Sequence, residues 1–196
     1  MMRALVAIAA LSVGALATGC GSTPPARFYT LGGAATPPAT ASNVSVVVGP
    51  VSVPATVDRP QIVVSTGGNQ VVLDEFNRWA SPLPNNISRV VAENLVALLG
   101  APRVTLSPQA LGADADFRVI IEVQRFESTL GESAVLDAVW TVRRAKDGKS
   151  YTERTTVRET APQNSYDGLV AAHSRALGRL SQDIANAVRG LDRSGP

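Results

Sequence analysis

Val135-Leu136-Asp137-Ala138-Val139-Trp140-Thr141-Val142-Arg143-Arg144 runs through Ala145-Lys146-Asp147-Gly148-Lys149-Ser150 into Tyr151-Thr152-Glu153-Arg154-Thr155-Thr156-Val157-Arg158-Glu159-Thr160. Both flanks are rich in β-branched and aromatic residues, which suit a pleated, half-buried surface. Asp-Gly between such flanks is a strong two-residue hairpin signal. Pairing Lys146 with Lys149 sets Asp137 opposite Arg158 and Trp140 opposite Thr155. The first of these is an opposite-charge cross-strand pair worth at most ~1 kcal/mol. Directly downstream, Asn164-Ser165 caps a long predicted helix with the apolar stripe Tyr166, Leu169, Val170, His173, Leu177, Leu180, Ile184 and Val188, and Gly190 is its expected stop.

Upstream of the hairpin, Phe117, Val119, Ile121 and Val123 alternate with Arg118, Glu122 and Gln124, the pattern of a half-buried strand that Ile120 interrupts. A first helix is signalled by Pro84 and Asn85-Asn86 ahead of Ile87, Val90, Val91, Leu95, Leu98 and Leu99, with Gly100 and Pro102 ending it. Further strands are expected at Arg27–Leu31, Val44–Val48, Val51–Val53, Gln61–Ser65, Gln70–Leu73 and Arg103–Leu106. Gly49-Pro50 reads as a bulge or edge break, and Thr66-Gly67-Gly68-Asn69 as a hairpin turn. Runs of strands followed by helices, without strict βαβ alternation, predict an α+β fold: a mixed or antiparallel sheet with two main helices packed on one face.

The amino terminus has a different logic. Arg3 precedes the apolar run Ala4 to Leu16, and the small residues Ala17-Thr18-Gly19 lead to Cys20, the single cysteine. A charged start, a short apolar core and small residues at a cleavage point make a secretory signal. The run is too short for a bilayer that needs about 20 apolar residues. Cysteine directly after the small residues resembles a bacterial lipobox, although Ala17 stands where leucine is usual, three places before the cysteine, with Leu16 one place earlier. The expected division is a cleaved signal peptide at 1–19, a lipidated tether at 20–26, one periplasmic domain at 27–191 and a tail at 192–196. Cys-Gly-Ser-Thr-Pro-Pro-Ala reaches at most ~25 Å when extended, which keeps the body close to its membrane.

Acylation of Cys20 leaves no thiol for a disulfide, so stability has to come from packing. Cleavage removes Arg3 and lowers the formal charge from +2 to +1, which argues against a nucleic-acid surface. His173 is the single histidine; it excludes His-rich metal sites, and its place in an apolar stripe reads as packing. No Gly-x-Ser-x-Gly elbow is present. Gly148-Lys149-Ser150 resembles a P-loop tail, but Arg143 stands where the first glycine is needed and the context is a hairpin. Asp114 and Asp116 share one side of an extended segment and read as solvated turn residues. The residues therefore favour a binding or structural role with no enzyme activity, no metal and no cofactor beyond the covalent lipid on Cys20.

Three segments in order carry a resemblance: Phe28-Tyr29-Thr30-Leu31, then Val46-Val47-Val48-Gly49-Pro50-Val51-Ser52-Val53-Pro54 with Asp58-Arg59-Pro60-Gln61-Ile62-Val63, then Asn77-Arg78-Trp79-Ala80-Ser81-Pro82-Leu83. Their order and spacing resemble the PqiC/YmbA family of ABC-type transport auxiliary lipoproteins, from which Ser81 departs at a usually acidic position. The resemblance implies a body of the TolB amino-terminal type. It also implies a palmitate-bearing lipoprotein on the periplasmic face of the cell outer membrane. The absence of aspartate at Gly21 fits that placement. Its implied partners are an MCE-domain protein and inner-membrane transporter components moving lipid between membranes, together with a homo-oligomeric ring. The alternative is a lipoprotein aiding outer-membrane or cell-wall assembly without a transport partner. Arg59, Pro60, Arg78 and Trp79 are the candidate partner-contact or fold-signature residues, since tryptophan and arginine concentrate in binding hot spots.

Overall fold

The computed structural model describes residues 24–33, 42–101, 103–107 and 114–194. The signal peptide, Cys20 and the first part of the tether lie outside the described residues. In chain order the elements are β1 (Arg27–Tyr29), β2 (Ser45–Ser52), β3 (Gln61–Gly67), β4 (Gln70–Trp79), α1 (Leu83–Leu99), β5 (Arg103–Leu106), β6 (Phe117–Thr129), β7 (Ser133–Arg144), β8 (Ser150–Thr160) and α2 (Tyr166–Arg193). They make an α+β fold with two sheets, ordered β1-β4-β3 and β5-β2-β6-β7-β8. In the larger sheet β2 runs parallel to β5 and β6, while β6, β7 and β8 are antiparallel.

The valine run of β2 is buried because it lies between two neighbours, with Val46, Val47 and Val48 all enclosed. Gly49, at φ 112, and Pro50 form a bulge: pairing jumps from Val48 opposite Val119 to Val51 opposite Ile121, and the strand continues through it. Helix α1 packs against β2 and β5, and α2 against β6, β7 and β8. Pro84 occupies the first turn of α1, where its missing N–H removes nothing, and Gly100 closes the helix in the left-handed conformation at φ 59. The two helices are joined through a buried contact in which Asn94 Nδ2 donates to Ser181 Oγ at 3.1 Å.

Two local expectations are corrected. The β7–β8 register is shifted by two residues: Asp137 lies opposite Thr156, and Trp140 opposite Glu153. The loop has four residues, Ala145 to Gly148, because Gly148 takes φ 72 and donates its N–H to the Arg144 carbonyl at 3.0 Å. Asp147 fixes that loop by accepting from Arg144 Nη2 at 2.6 Å and from the Lys149 N–H at 3.2 Å. Asp137 consequently pairs with Arg154, not Arg158, and Arg158 turns to Glu132. Trp140 still reaches Thr155, diagonally, donating from Nε1 at 2.9 Å.

Gly190 does not end α2, which continues to Arg193. The cause is Arg144, whose side chain is only 2% exposed. Its guanidinium donates to the carbonyls of Leu191 and Ser194, supplying the partners that the last helical turn lacks. At the other end Ser165 caps as expected, its Oγ accepting the Gly168 N–H at 3.1 Å.

Candidate functional site

Parts of all three segments that carry the resemblance meet on the small sheet, while residues 46–52 of the second run in β2 of the large sheet. Parallel pairing sets Tyr29 beside Trp79, and antiparallel pairing sets Gln61 beside Arg78. Backbone bonds stitch the junction: the Trp79 N–H donates to the Pro60 carbonyl at 2.7 Å and the Ala80 N–H to the Tyr29 carbonyl at 2.8 Å. Pro60 fixes its own φ and restricts Arg59, so the turn ahead of β3 presents its carbonyl to Trp79. Arg59, Pro60, Arg78 and Trp79 are thus brought together, while Cys20 lies outside the described residues.

The four residues differ in exposure. Trp79 is 5% exposed and meets Phe126 edge-on, with ring centroids 6.2 Å apart. Phe126 in turn stacks on His173 at 3.8 Å and 8°. The chain Trp79–Phe126–His173 therefore ties the small sheet through β6 to α2. His173 Nε2 shares a hydrogen bond with Ser128 Oγ at 2.8 Å, and burial pushes the imidazole pKa down to about 3, so the ring is neutral. Arg78 stays near the surface, bonded to the Glu75 carboxylate at 2.8 Å and to the Glu75 carbonyl at 3.0 Å. Pro60 is exposed, and Arg59 is half-buried with its Nε enclosed and unpaired.

Sequence reasoning missed the polar clamp behind this junction. Between Ile62 and Gln61 on β3, the partner on β4 jumps from Asp74 to Arg78. Asp74 holds the resulting bulge by accepting from the Phe76 N–H at 2.8 Å, the Asn77 N–H at 3.0 Å and the Tyr166 hydroxyl at 2.6 Å. Burial would raise the Asp74 pKa, but the bonds from Tyr166, Phe76 and Asn77 outweigh it and hold the carboxyl below its usual range. Burial together with the Asp74 contact raises the Tyr166 phenol strongly. Asn77 also accepts from the Tyr29 hydroxyl at 2.8 Å. An aspartate two and three residues ahead of the amides it caps is a short-range turn signal, and that spacing could have marked Asp74.

A separate open cleft of about 790 Å³ lies at the far end of the large sheet, lined by Asp116, Arg118, Arg143, Arg144 and Asp192 among others. Asp116 is not a free turn residue: its carboxylate accepts from both the Ser45 hydroxyl and the Ser45 N–H at 2.7 Å, and these bonds lower its pKa. Asp114 is exposed. Among the described residues, the lining contains no serine, threonine, cysteine or histidine. The two perturbed groups in it, Asp116 and Arg144, hold β2 and the end of α2 in place.

Residues 29–185 match the family model described as the ABC-type transport auxiliary lipoprotein component. The chain belongs to that family. This auxiliary lipoprotein family is a class of transport components, not of enzymes. No curated protein matches the sequence at a significant level. Among solved structures, a Xanthomonas campestris protein of the DUF330 family is 18% identical with a TM-score of 0.71, covering 86% of this chain and 99% of its own. An uncharacterised protein of known structure is 21% identical with a TM-score of 0.69, covering 84% of this chain and 99% of its own. These likenesses show the shared fold of the auxiliary lipoprotein. A PelC dodecamer from Paraburkholderia phytofirmans is more distant, 16% identical with a TM-score of 0.45 over 76% of this chain and 92% of its own.

Proposed function

We propose that this auxiliary lipoprotein is held by acylated Cys20 at the periplasmic face of the outer membrane. There it serves as the accessory subunit of an MCE/ABC-type intermembrane lipid transport system, contributing to envelope integrity. The observation that carries this reading is the family match over 29–185, within which Tyr29, Arg59-Pro60-Gln61 and Asn77-Arg78-Trp79 converge on one junction. Multiple acyl chains, each methylene contributing ~0.8 kcal/mol on burial, make such an anchor effectively permanent. Partner search is then confined to two dimensions. Trp79 sets the sheet on the body, while Arg78 and Pro60 on its outer side supply the partner contact. The implied partners are an MCE-domain protein with its inner-membrane transporter, and further copies of this chain arranged in a ring.

Photo-cross-linking in intact cells from position 78 tests this. The reading expects adducts with an MCE-domain protein or a transporter subunit. Recovery of barrel-assembly or cell-wall components in their place would move the assignment to an assembly lipoprotein.

A further inference from the structure

The β3–β4 hairpin breaks the rule by which soluble proteins guard exposed strands. From Gln61 to Leu73 the sequence Gln-Ile-Val-Val-Ser-Thr-Gly-Gly-Asn-Gln-Val-Val-Leu contains no charged residue. Edge strands normally carry lysine, proline or inward charges against unwanted pairing. Here Val71, Val72 and Leu73 are 58%, 49% and 39% exposed. Ile62 and Val64 are buried, and Val71 and Leu73 lie on the opposite side of the hairpin, open to solvent, next to Val63, which is partly buried against the core. The turn stands clear: a Cβ built on Gly67 or Gly68 meets no atom within 4 Å. The first charges after it are already occupied, Asp74 by Tyr166 and Asn77, and Glu75 by Arg78 and Gln61.

Chain direction indicates what covers this surface. β1 is parallel to β4, with Arg27 beside Asn77. The chain therefore enters β1 from the side on which β4 begins, that of the hairpin turn. Seven residues separate Asn77 from Gln70 at the turn, and seven separate Arg27 from Cys20. At ~3.3 Å per residue each span is about 23 Å. An anchor at Cys20 thus has the reach to place its bilayer level with the hairpin turn.

We infer that the outer side of the β3–β4 hairpin, through Val71 and Leu73, is a bilayer-contact surface that seats the domain against the membrane holding its lipid anchor. The hairpin lies along the interface, with the two side chains among acyl chains and Asn69 and Gln70 among headgroups. The bonds between β3 and β4 stay paired, and the outward backbone groups of the two strand edges stay at headgroup level, where water meets them. The contact limits how the body can tilt on its tether. This inference rests on the Cys20 anchor.

The test uses the full acylated chain in vesicles of phosphatidylethanolamine and phosphatidylglycerol. Because acylated Cys20 has no free thiol, Val71→Cys, Leu73→Cys and the control Lys149→Cys each accept one environment-sensitive fluorophore. Blue-shifted emission quenched by brominated lipid at 71 and 73, but not at 149, is the expected result. Vesicle-bound protein whose labels at 71 and 73 remain water-exposed would overturn the inference and leave the anchor standing. A blue shift that grows with protein density and ignores brominated lipid would overturn it in favour of a second copy of the chain. Dye incorporation at Cys20 in the unsubstituted protein would remove the anchor, and the inference with it.

Discussion

The large sheet with its two helices and the small sheet with its hairpin use polar residues in opposite ways. In the large half, buried polar atoms are drawn into bonds between elements. Trp140 donates to Thr155, and Thr155 donates to Asp183 of α2 at 2.7 Å, so three elements share one chain of bonds. Arg144 closes the end of α2, and Asp116 pins the start of β2. In the small half Asp74 makes such a clamp, and beyond it lies an uncharged hairpin with apolar side chains in solvent. The first half is built to stay folded and the second to meet something else. With a single cysteine in the chain, the body has no internal disulfide and is held by packing, while the hairpin is free to specialise.

The largest way to break this contrast is through packing. Trp140→Ala should cost about 3–5 kcal/mol, as expected for a buried aromatic, whereas Val71→Ser should stay within about 0.5 kcal/mol. Denaturant unfolding of the two variants checks this, and comparable losses would erase the distinction between the halves.

Next in size is the response to acid. His173 is neutral and buried with a folded pKa near 3, against about 6.5 when unfolded. The unfolded chain therefore binds the extra proton first. Its contribution is complete above about pH 6.5 and is lost as pH falls toward 3, with a slope approaching ~1.4 kcal/mol per pH unit. The depressed carboxylates Asp74 and Asp116 add losses of the same sign as pH falls through the ordinary carboxylate range, where the unfolded chain protonates first. Unfolding midpoints measured from pH 7 to 4 should fall for the unsubstituted protein and be flatter for His173→Phe. Equal slopes would show that His173 does not govern the core's acid response.

A smaller effect is expected at the β2 clamp. Ser45→Ala should cost about 1 kcal/mol by removing the hydroxyl bonded to Asp116, again read from denaturant midpoints. The smallest global change is expected from Arg144→Met. It should leave the sheet intact but release the last turn of α2, seen as faster amide exchange from Gly190 to Ser194. Unchanged exchange there would show that the helix holds its own end.

Much of this was legible in the sequence because local signals and tertiary needs agreed. The β-branched alternation of β6, the valines of β2, the Ser165 cap and the Gly100 stop each map to the element they predict. Register was not legible, because Asp147-Gly148 permits a two-residue or a four-residue loop. The four-residue form is accompanied by a contact that no local pattern shows: the Arg144 guanidinium binds Asp147 on one side and the end of α2 on the other. The same long-range contact extends α2 past Gly190. At the junction, Arg59, Pro60, Arg78 and Trp79 could be picked out, and turn spacing marks Asp74, but not its distant partner. Asp74 acts through Tyr166, 92 residues away in sequence, and no local pattern reports such a contact.

The account depends most on placement at the outer membrane, and a complementation experiment addresses it directly. Cells lacking the chromosomal copy would carry either the unsubstituted protein or Cys20→Ala, with detergent resistance measured alongside membrane fractionation. The account expects Cys20→Ala to be folded, released from the outer membrane and unable to restore resistance. A variant that stayed with the outer membrane and restored resistance fully would contradict it.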